Sequence, residues 1–366
     1  MATHISTDTI QTATQVEDPF NRPTAPFTAR RRVSRRLGIG IGIGSLIAAA
    51  ALLTIGWGQT SPLAIGATAA AFFLMSYTAA SFAIEGRRFA VDRLATTLIS
   101  TTFILAVLPL ASLLLSVLHK GLSRISPAFI NNNSAGISNA SVEGGVGHAI
   151  WGTLEITATT ALISVPLGVM AAVYLVEYGK GAFATTVTFL VDIMTGIPSI
   201  VAGLFAVSIM TTILNNAGYR SGFVGAVALV VLMTPIVVRN TEEMLRLVPH
   251  ELREASYALG VPLWRTITKV VLRTSAAGII SGIVIATARV IGESAPLLIT
   301  AMTTDYYNYN LFGDYMMTLP VYVYIAYKQG RYADAWGAAL ILIVIVLLLN
   351  LIARMIARRV APAGEH

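Results

Sequence analysis

Eight long apolar runs limit what this chain can fold into more than any other feature. They cover roughly Leu37–Trp57, Pro62–Ile84, Leu94–Leu118, Ala149–Tyr174, Thr185–Met210, Ser221–Val238, Ala276–Ala301 and Trp336–Ala353. A helix needs about 20 apolar residues to cross the hydrocarbon core of a bilayer. Backbone in lipid must also satisfy its own hydrogen bonds, which leaves helices and closed barrels. The runs are too long and continuous for the roughly ten-residue alternating strands of an outer-membrane barrel. The expected fold class is therefore all-α, a polytopic membrane protein with about eight transmembrane helices. Composition agrees, since 55% of the 366 residues are hydrophobic and 12% charged, against about 25% charged in soluble domains.

A net charge of +7 raises the question of a nucleic-acid partner, and the distribution of charge answers it. With the N-terminus in the cytoplasm, 19 of the 25 Lys and Arg residues fall in cytoplasmic segments and five in external ones, and Arg289 lies inside a span. That asymmetry is the positive-inside rule. The basic balance thus reports orientation, with both termini cytoplasmic and no nucleic acid required.

Residues 1–36 are expected to form a disordered basic cytoplasmic tail, because 1–28 are polar and Thr-rich without an apolar core. The arginines at 30–32 and at Arg35 and Arg36 precede a 21-residue apolar run with no small-x-small cleavage boundary, so an uncleaved first span is expected. Residues 37–93 supply extra N-terminal spans, 94–358 a permease-like core, and 359–366 a short tail. Gly38, Gly40, Gly42 and Gly44 place glycines four apart on two adjacent faces of the first span, which permits close helix approach. From Ala149 onward, Pro166, Pro198, Pro235 and Pro296 each interrupt an apolar run. A proline frees a backbone carbonyl and kinks a helix, and four in succession suggest a helical core around a pathway.

The cytoplasmic loop 239–275 is the longest positively charged one. Thr241 is expected to be an N-cap, with Glu242 and Glu243 in the first turn. Pro249 suits the start of a second helix. On that helix Leu252, Ala255 and Leu259 form an apolar stripe at spacings of three and four, and Gly260 ends it with a left-handed cap. Pro262 permits a new helix through Trp264 and Ile267. Small residues Ala255, Ser256 and Ala258 beside Glu254 would let a partner surface come close. Taken alone, the pattern favours a helical hairpin that packs only on its own membrane domain.

Glu254-Ala255-Ser256, followed by Gly260, resembles the EAA loop of ABC importer permeases. That loop inserts a short coupling helix into a groove of the ATPase subunit. Val270 and Leu272 fit the end of the family pattern, while Arg273 stands where the family has proline. A closer resemblance is to PstA-type permeases of phosphate-specific ABC importers. Its motifs are Arg239-Asn240-Thr241-Glu242-Glu243-Met244-Leu245, Leu252 through Gly260, Pro198 through Phe205, Ala288 through Leu298, and Leu348 through Arg354. The likeness covers roughly residues 147–358.

The resemblance implies a type I importer core of six-helix style, with ATPase coupling through Arg253, Glu254, Ala255, Ser256, Leu259 and Gly260. It also implies three partners: a second homologous permease, an ABC ATPase dimer and an extracytoplasmic phosphate-binding protein. No Walker pattern is present, since Gly179-Lys180-Gly181 lacks the upstream glycine and the hydroxyl. No ATP site is therefore expected here; ATP and Mg belong to the partner ATPase, and the chain is read as a non-enzymatic permease subunit. The five histidines show no metal spacing, and with no cysteines there is no thiolate metal site or disulfide.

Four charges are candidates for the translocation pathway: Arg289, Glu293, Asp192 and Arg239. An arginine at mid-span costs about 2.5–3.5 kcal/mol on insertion scales, so it needs partners or water. Glu293 is expected one helical turn beyond Arg289, close enough to pair. The two could lock helices together, or Arg289 could present its planar donor fork to a tetrahedral oxyanion. Asp192 and Glu155 are expected to pair or sit near an interface, because a carboxylate repels an anionic cargo. Arg239 reads as an anchor at the cytoplasmic end of the sixth span, or as an attractor at the exit. External segments 119–148 and 302–333 would receive the binding protein, although Tyr306, Tyr307 and Tyr309 suit a membrane interface equally well. Two alternatives stay open: a permease for another oxyanion or solute, and a secondary transporter or channel without a motor.

Overall fold

The computed structural model describes residues 34–56, 58, 62–136 and 144–360. Residues 1–33 and 361–366, which hold most of the expected tails, lie outside the described residues. Contacts divide the chain into two compact units, Met1–Ser112 and Leu113–His366. Among the described residues all regular structure is helical.

The first unit contains α1 (Arg35–Ala51), which runs on into a π turn at Leu52–Gly56, and α2 (Pro62–Glu85). The unit boundary falls inside α3 (Arg87–Leu122). Ser34 caps α1 by accepting from the Leu37 amide at 3.2 Å. Between α2 and α3 only Gly86 intervenes, at φ +89°, a conformation that costs L-residues with a Cβ roughly 1–2 kcal/mol. Of the two glycine faces expected on α1, one is used for packing. A Cβ at Gly38 or Gly42 would touch Tyr77 or Phe73 on α2, whereas Gly40 and Gly44 face open space. At 36 residues α3 outruns the expected Leu94–Leu118. Arg87, Arg88, His119 and Lys120 end the apolar run but not the helix.

The second unit runs through α4 (Pro127–Asn131), α5 (Gly147–Val173) with a π turn at Tyr174–Tyr178, α6 (Gly181–Gly196) and α7 (Ser199–Leu214). It continues with α8 (Gly222–Arg246), α9 (His250–Ala258), α10 (Leu263–Thr266), a π turn at Ile267–Val271 and α11 (Leu272–Val290). Next come α12 (Ala295–Thr300), α13 (Leu319–Lys328) and α14 (Tyr332–Val360). Among the described residues seven helical runs are long and apolar enough to span a membrane, and α6 with α7 makes an eighth if counted as one broken span.

Three expectations need correction. The fifth apolar run is not one helix, because α6 and α7 are bent by 113°. Pro198 is the cause: it disfavours helical backbone in the residue before it, and Ile197 is extended with ψ 125°. The seventh run is shifted, since its helix begins at Leu263 and ends at Val290, ahead of a break at 291–294. The loop expected over 239–275 shrinks correspondingly. Nothing breaks α8 after Val238, so Thr241, expected as an N-cap, is buried inside that helix. The four prolines therefore act in two ways. Pro166 and Pro235 lie inside continuous helices, while Pro198 and Pro296 open new ones.

Within the second unit α8 is the central post. Of its most apolar stretch 56% is buried, against 28% or less for every other span. Leu229, Met233 and Val237 on α8 share one core with Ala286 and Val290 on α11 and Leu297 on α12. Small residues allow the close crossings that membrane helices favour. A Cβ on Gly168 of α5 would come within 2.6 Å of Val237. At the α13 end of the bundle, the Leu319 amide donates to Thr153 Oγ1 at 2.7 Å and the Met316 amide to the Ala301 carbonyl at 2.9 Å.

Candidate functional site

The short helix α9 inverts the usual pattern of a surface helix. Pro249 enters it in extended conformation, and Gly260 leaves it at φ +74°. The Val261 amide returns to the Ser256 carbonyl at 3.2 Å, closing the last turn. Its inward side is polar, with Arg253 and Ser256 buried. Its outward side carries the expected stripe: Leu252 is 42% exposed and Leu259 83%, with Ala255 and Glu254 also exposed. The helix thus seats on its own domain through Arg253 and Ser256, and the stripe is left exposed.

The buried side is held by specific contacts. Arg253 Nη2 donates to Glu177 Oε1 at 2.8 Å and to the Leu245 carbonyl at 3.0 Å. Its Nη1 donates to the Val248 carbonyl at 2.6 Å. These carbonyls lie at the end of α8 and just past it, where a cation is favoured by the helix dipole. Ser256 and Thr266 join hydroxyl to hydroxyl at 2.8 Å. The six expected coupling residues therefore divide: Glu254, Ala255, Leu259 and Gly260 face outward, and Arg253 and Ser256 fasten the helix. Glu177 was not expected; its one sequence signal is an acid just past the fourth apolar run.

The four pathway candidates also divide. Arg239 on α8 pairs with Asp192 on α6 and, at 2.8 Å, with Glu242. Glu242 also holds Arg246 at 2.7 Å. The Asp192 side chain nevertheless remains 60% exposed. Arg289 and Glu293 are not brought together as expected: no ion pair joins them among the described residues. The helix carrying Arg289 stops one residue later, so Glu293 falls in the irregular break rather than a turn further along one face. Arg289 is exposed in the last turn of α11, where the helix dipole favours a cation. Glu155 on α5 keeps Oε2 buried with no hydrogen-bond partner among the described residues. No group of three or more metal-ligating side chains occurs among the described residues.

The loop before α13 displays aromatic rings, with Tyr306 65% and Tyr309 66% exposed. Tyr307 stacks on Tyr309 at 5.6 Å and donates its hydroxyl to the Asn131 carbonyl. Burial pushes the phenols of Tyr307 and Tyr322 above their usual range.

A bundle of kinked and broken spans with a short, outward-facing helix between two of them is the architecture of a transport permease. The chain belongs to the family of binding-protein-dependent transport system inner membrane components, whose pattern matches residues 164–363. Within that family it falls among the PstA permeases. It is 44% identical over 274 residues to phosphate transport system permease protein PstA 1 of Mycobacterium tuberculosis, covering 74% of this chain and 90% of that protein. To the PstA of Mycobacterium leprae it is 43% identical over 272 residues, covering 73% and 89%. In fold it is similar to a chain of a bacterial alginate ABC transporter in complex with an alginate pentasaccharide-bound periplasmic protein. There the TM-score is 0.57 at 16% identity, covering 75% of this chain and 97% of that one. This is a multi-pass inner-membrane permease subunit, not a member of a catalytic enzyme family.

Proposed function

We propose that this chain moves inorganic phosphate into the cytoplasm by alternating access, driven by a separate ATPase. The observation that carries the reading is α9, whose apolar stripe points away from its own domain while its polar side is buried. An exposed stripe on a firmly seated helix is a docking surface for a protein. The names of the relatives supply the cargo. ATP and Mg would be held by a partner ATPase dimer, which closes on hydrolysis-competent nucleotide and pushes on α9. A second homologous permease would complete the pathway, and an extracytoplasmic phosphate-binding protein would dock on the external loops. Charge asymmetry supports cytoplasmic termini.

Arg289 is the residue we assign to the pathway. It is exposed, free of ion pairs among the described residues, and next to a break in its span. One fixed guanidinium lowers the barrier for an anion, whereas several would trap it. Asp192 and Arg239 form a paired charge set nearer the cytoplasm and serve as its flank. The test is phosphate uptake into vesicles holding this chain with its ATPase, permease and binding-protein partners. Uptake should require ATP; uptake at full rate by the chain without an ATPase would refute the proposal.

A further inference from the structure

We propose that α9 works as a rocker with two polar tethers: Arg253–Glu177 transmits its motion into α5, and Ser256–Thr266 transmits it into α11. This inference rests on the coupling role of α9 proposed above and assigns the residues that carry the stroke inward.

Both tethers are buried and short. The Arg253 and Glu177 side chains are 10% and 6% exposed and meet at 2.8 Å, across 76 residues of sequence. The Ser256 and Thr266 hydroxyls are buried and 2.8 Å apart. Polar contacts shielded from water hold their geometry far better than exposed ones. Arg253 also donates to the Leu245 and Val248 carbonyls, which keeps the middle of α9 against the end of α8. Because α8 is the most enclosed helix of the unit, it serves as the fulcrum.

Where the tethers land is the second observation. Glu177 lies within the π turn Tyr174–Tyr178 that extends α5. Thr266 immediately precedes the π turn Ile267–Val271 that leads into α11. Such turns are rare, are found as single turns at functional sites, and are places where helices bend sharply. Each tether thus grips its span at the point where the helix can swing. A push on Leu259 and Ala255 would rock α9 on the α8 carbonyls and pull the bases of α5 and α11 together. These two spans carry Pro166 and Arg289, so the stroke would reach the pathway through them.

Arg253, Glu177, Ser256 and Thr266 are positioning residues, and their signature is transport separated from hydrolysis. In the reconstituted full importer, Glu177→Gln and Ser256→Ala should each lower phosphate taken up per ATP hydrolysed by at least about fivefold, the low end of couplings between distant sites. Binding-protein-stimulated ATPase activity should persist, because the outward face of α9 is intact. A purely structural role would lower uptake and hydrolysis together. Unchanged uptake per ATP in either variant overturns that tether.

A second measurement leaves the tethers untouched and covers the case of a variant that does not assemble. The chain has no cysteine, so spin labels at Glu251→Cys on α9 and Tyr178→Cys beside Glu177 report one distance. That distance should stay fixed between nucleotide-free and ATP-bound importer. A change of about 5 Å, one helical turn, shows that α9 slides free of α5 and overturns the rocker. If α9 carried no stroke at all, Leu259→Asp would leave uptake intact. If only the tethers are wrong, Leu259→Asp still abolishes uptake while Glu177→Gln is silent.

Discussion

Arg124 and Asp334 lie 210 residues apart in the chain and meet at 2.6 Å, with side chains only 10% and 8% exposed. The same carboxylate takes Arg331 at 3.4 Å, and Arg124 also donates to the Gly144 carbonyl at 2.7 Å. The pair clamps the start of α14 to the segment that follows α3. Removing one partner of a buried ion pair leaves the other charge uncompensated and costs about 3–5 kcal/mol. Asp334→Ala should therefore lower the unfolding midpoint of the purified protein sharply. A midpoint equal to that of the parent would show the clamp to be idle.

Asp192 gives the contrasting case. It pairs with Arg239, but the two side chains are 60% and 33% exposed. Exposed pairs contribute about 0–1 kcal/mol. Asp192→Asn should leave the unfolding midpoint nearly unchanged. Any loss of uptake in that variant then reports on transport rather than folding.

Arg289→Gln should abolish phosphate uptake while assembly and stability persist. The side chain is exposed and makes no ion pair among the described residues, so a neutral, shorter polar substitute costs the fold within about 0.5 kcal/mol. Normal uptake by the variant would remove Arg289 from the pathway.

Leu259→Asp should leave the permease folded, because Leu259 is 83% exposed, yet prevent it from co-purifying with its ATPase. A charge placed at the centre of an apolar contact is expelled from it unless paired. Undiminished capture of the ATPase would move the docking surface elsewhere.

Gly260→Val should impair coupling through the backbone. Nothing lies within 4 Å of a Cβ there, so space is not the obstacle. The obstacle is φ +74°, which costs a residue with a Cβ roughly 1–2 kcal/mol. Reduced uptake with a parental unfolding midpoint is the expected result, since α9 would relax its last turn without disturbing the core. Uptake at the parental level would show that the turn is not needed.

Much of this protein was legible in its residues. Apolar run length gave the helical membrane class, because the thickness of hydrocarbon imposes it on any chain. Pro249 and Gly260 bounded α9 correctly, since φ preferences act within one or two residues. Run length also misled. Apolarity cannot tell a straight span from one bent by 113° at Ile197–Pro198, because both bury the same surface. Nor could it show that α8 runs on to Arg246, where the Arg239–Glu242–Arg246 pairs hold the helix together with the buried Leu245.

The sequence by itself determined what is local: which segments are helical, and where Pro249 and Gly260 bound the short helix α9. The tertiary structure alone decided which charges meet. It separated Arg289 from Glu293, joined Arg239 to Asp192, and brought Glu177 beneath Arg253. Local preferences are set by a few neighbouring dihedral angles. A buried ion pair depends on how helices far apart in the chain are brought together, and on the loss of water that makes the pairing obligatory.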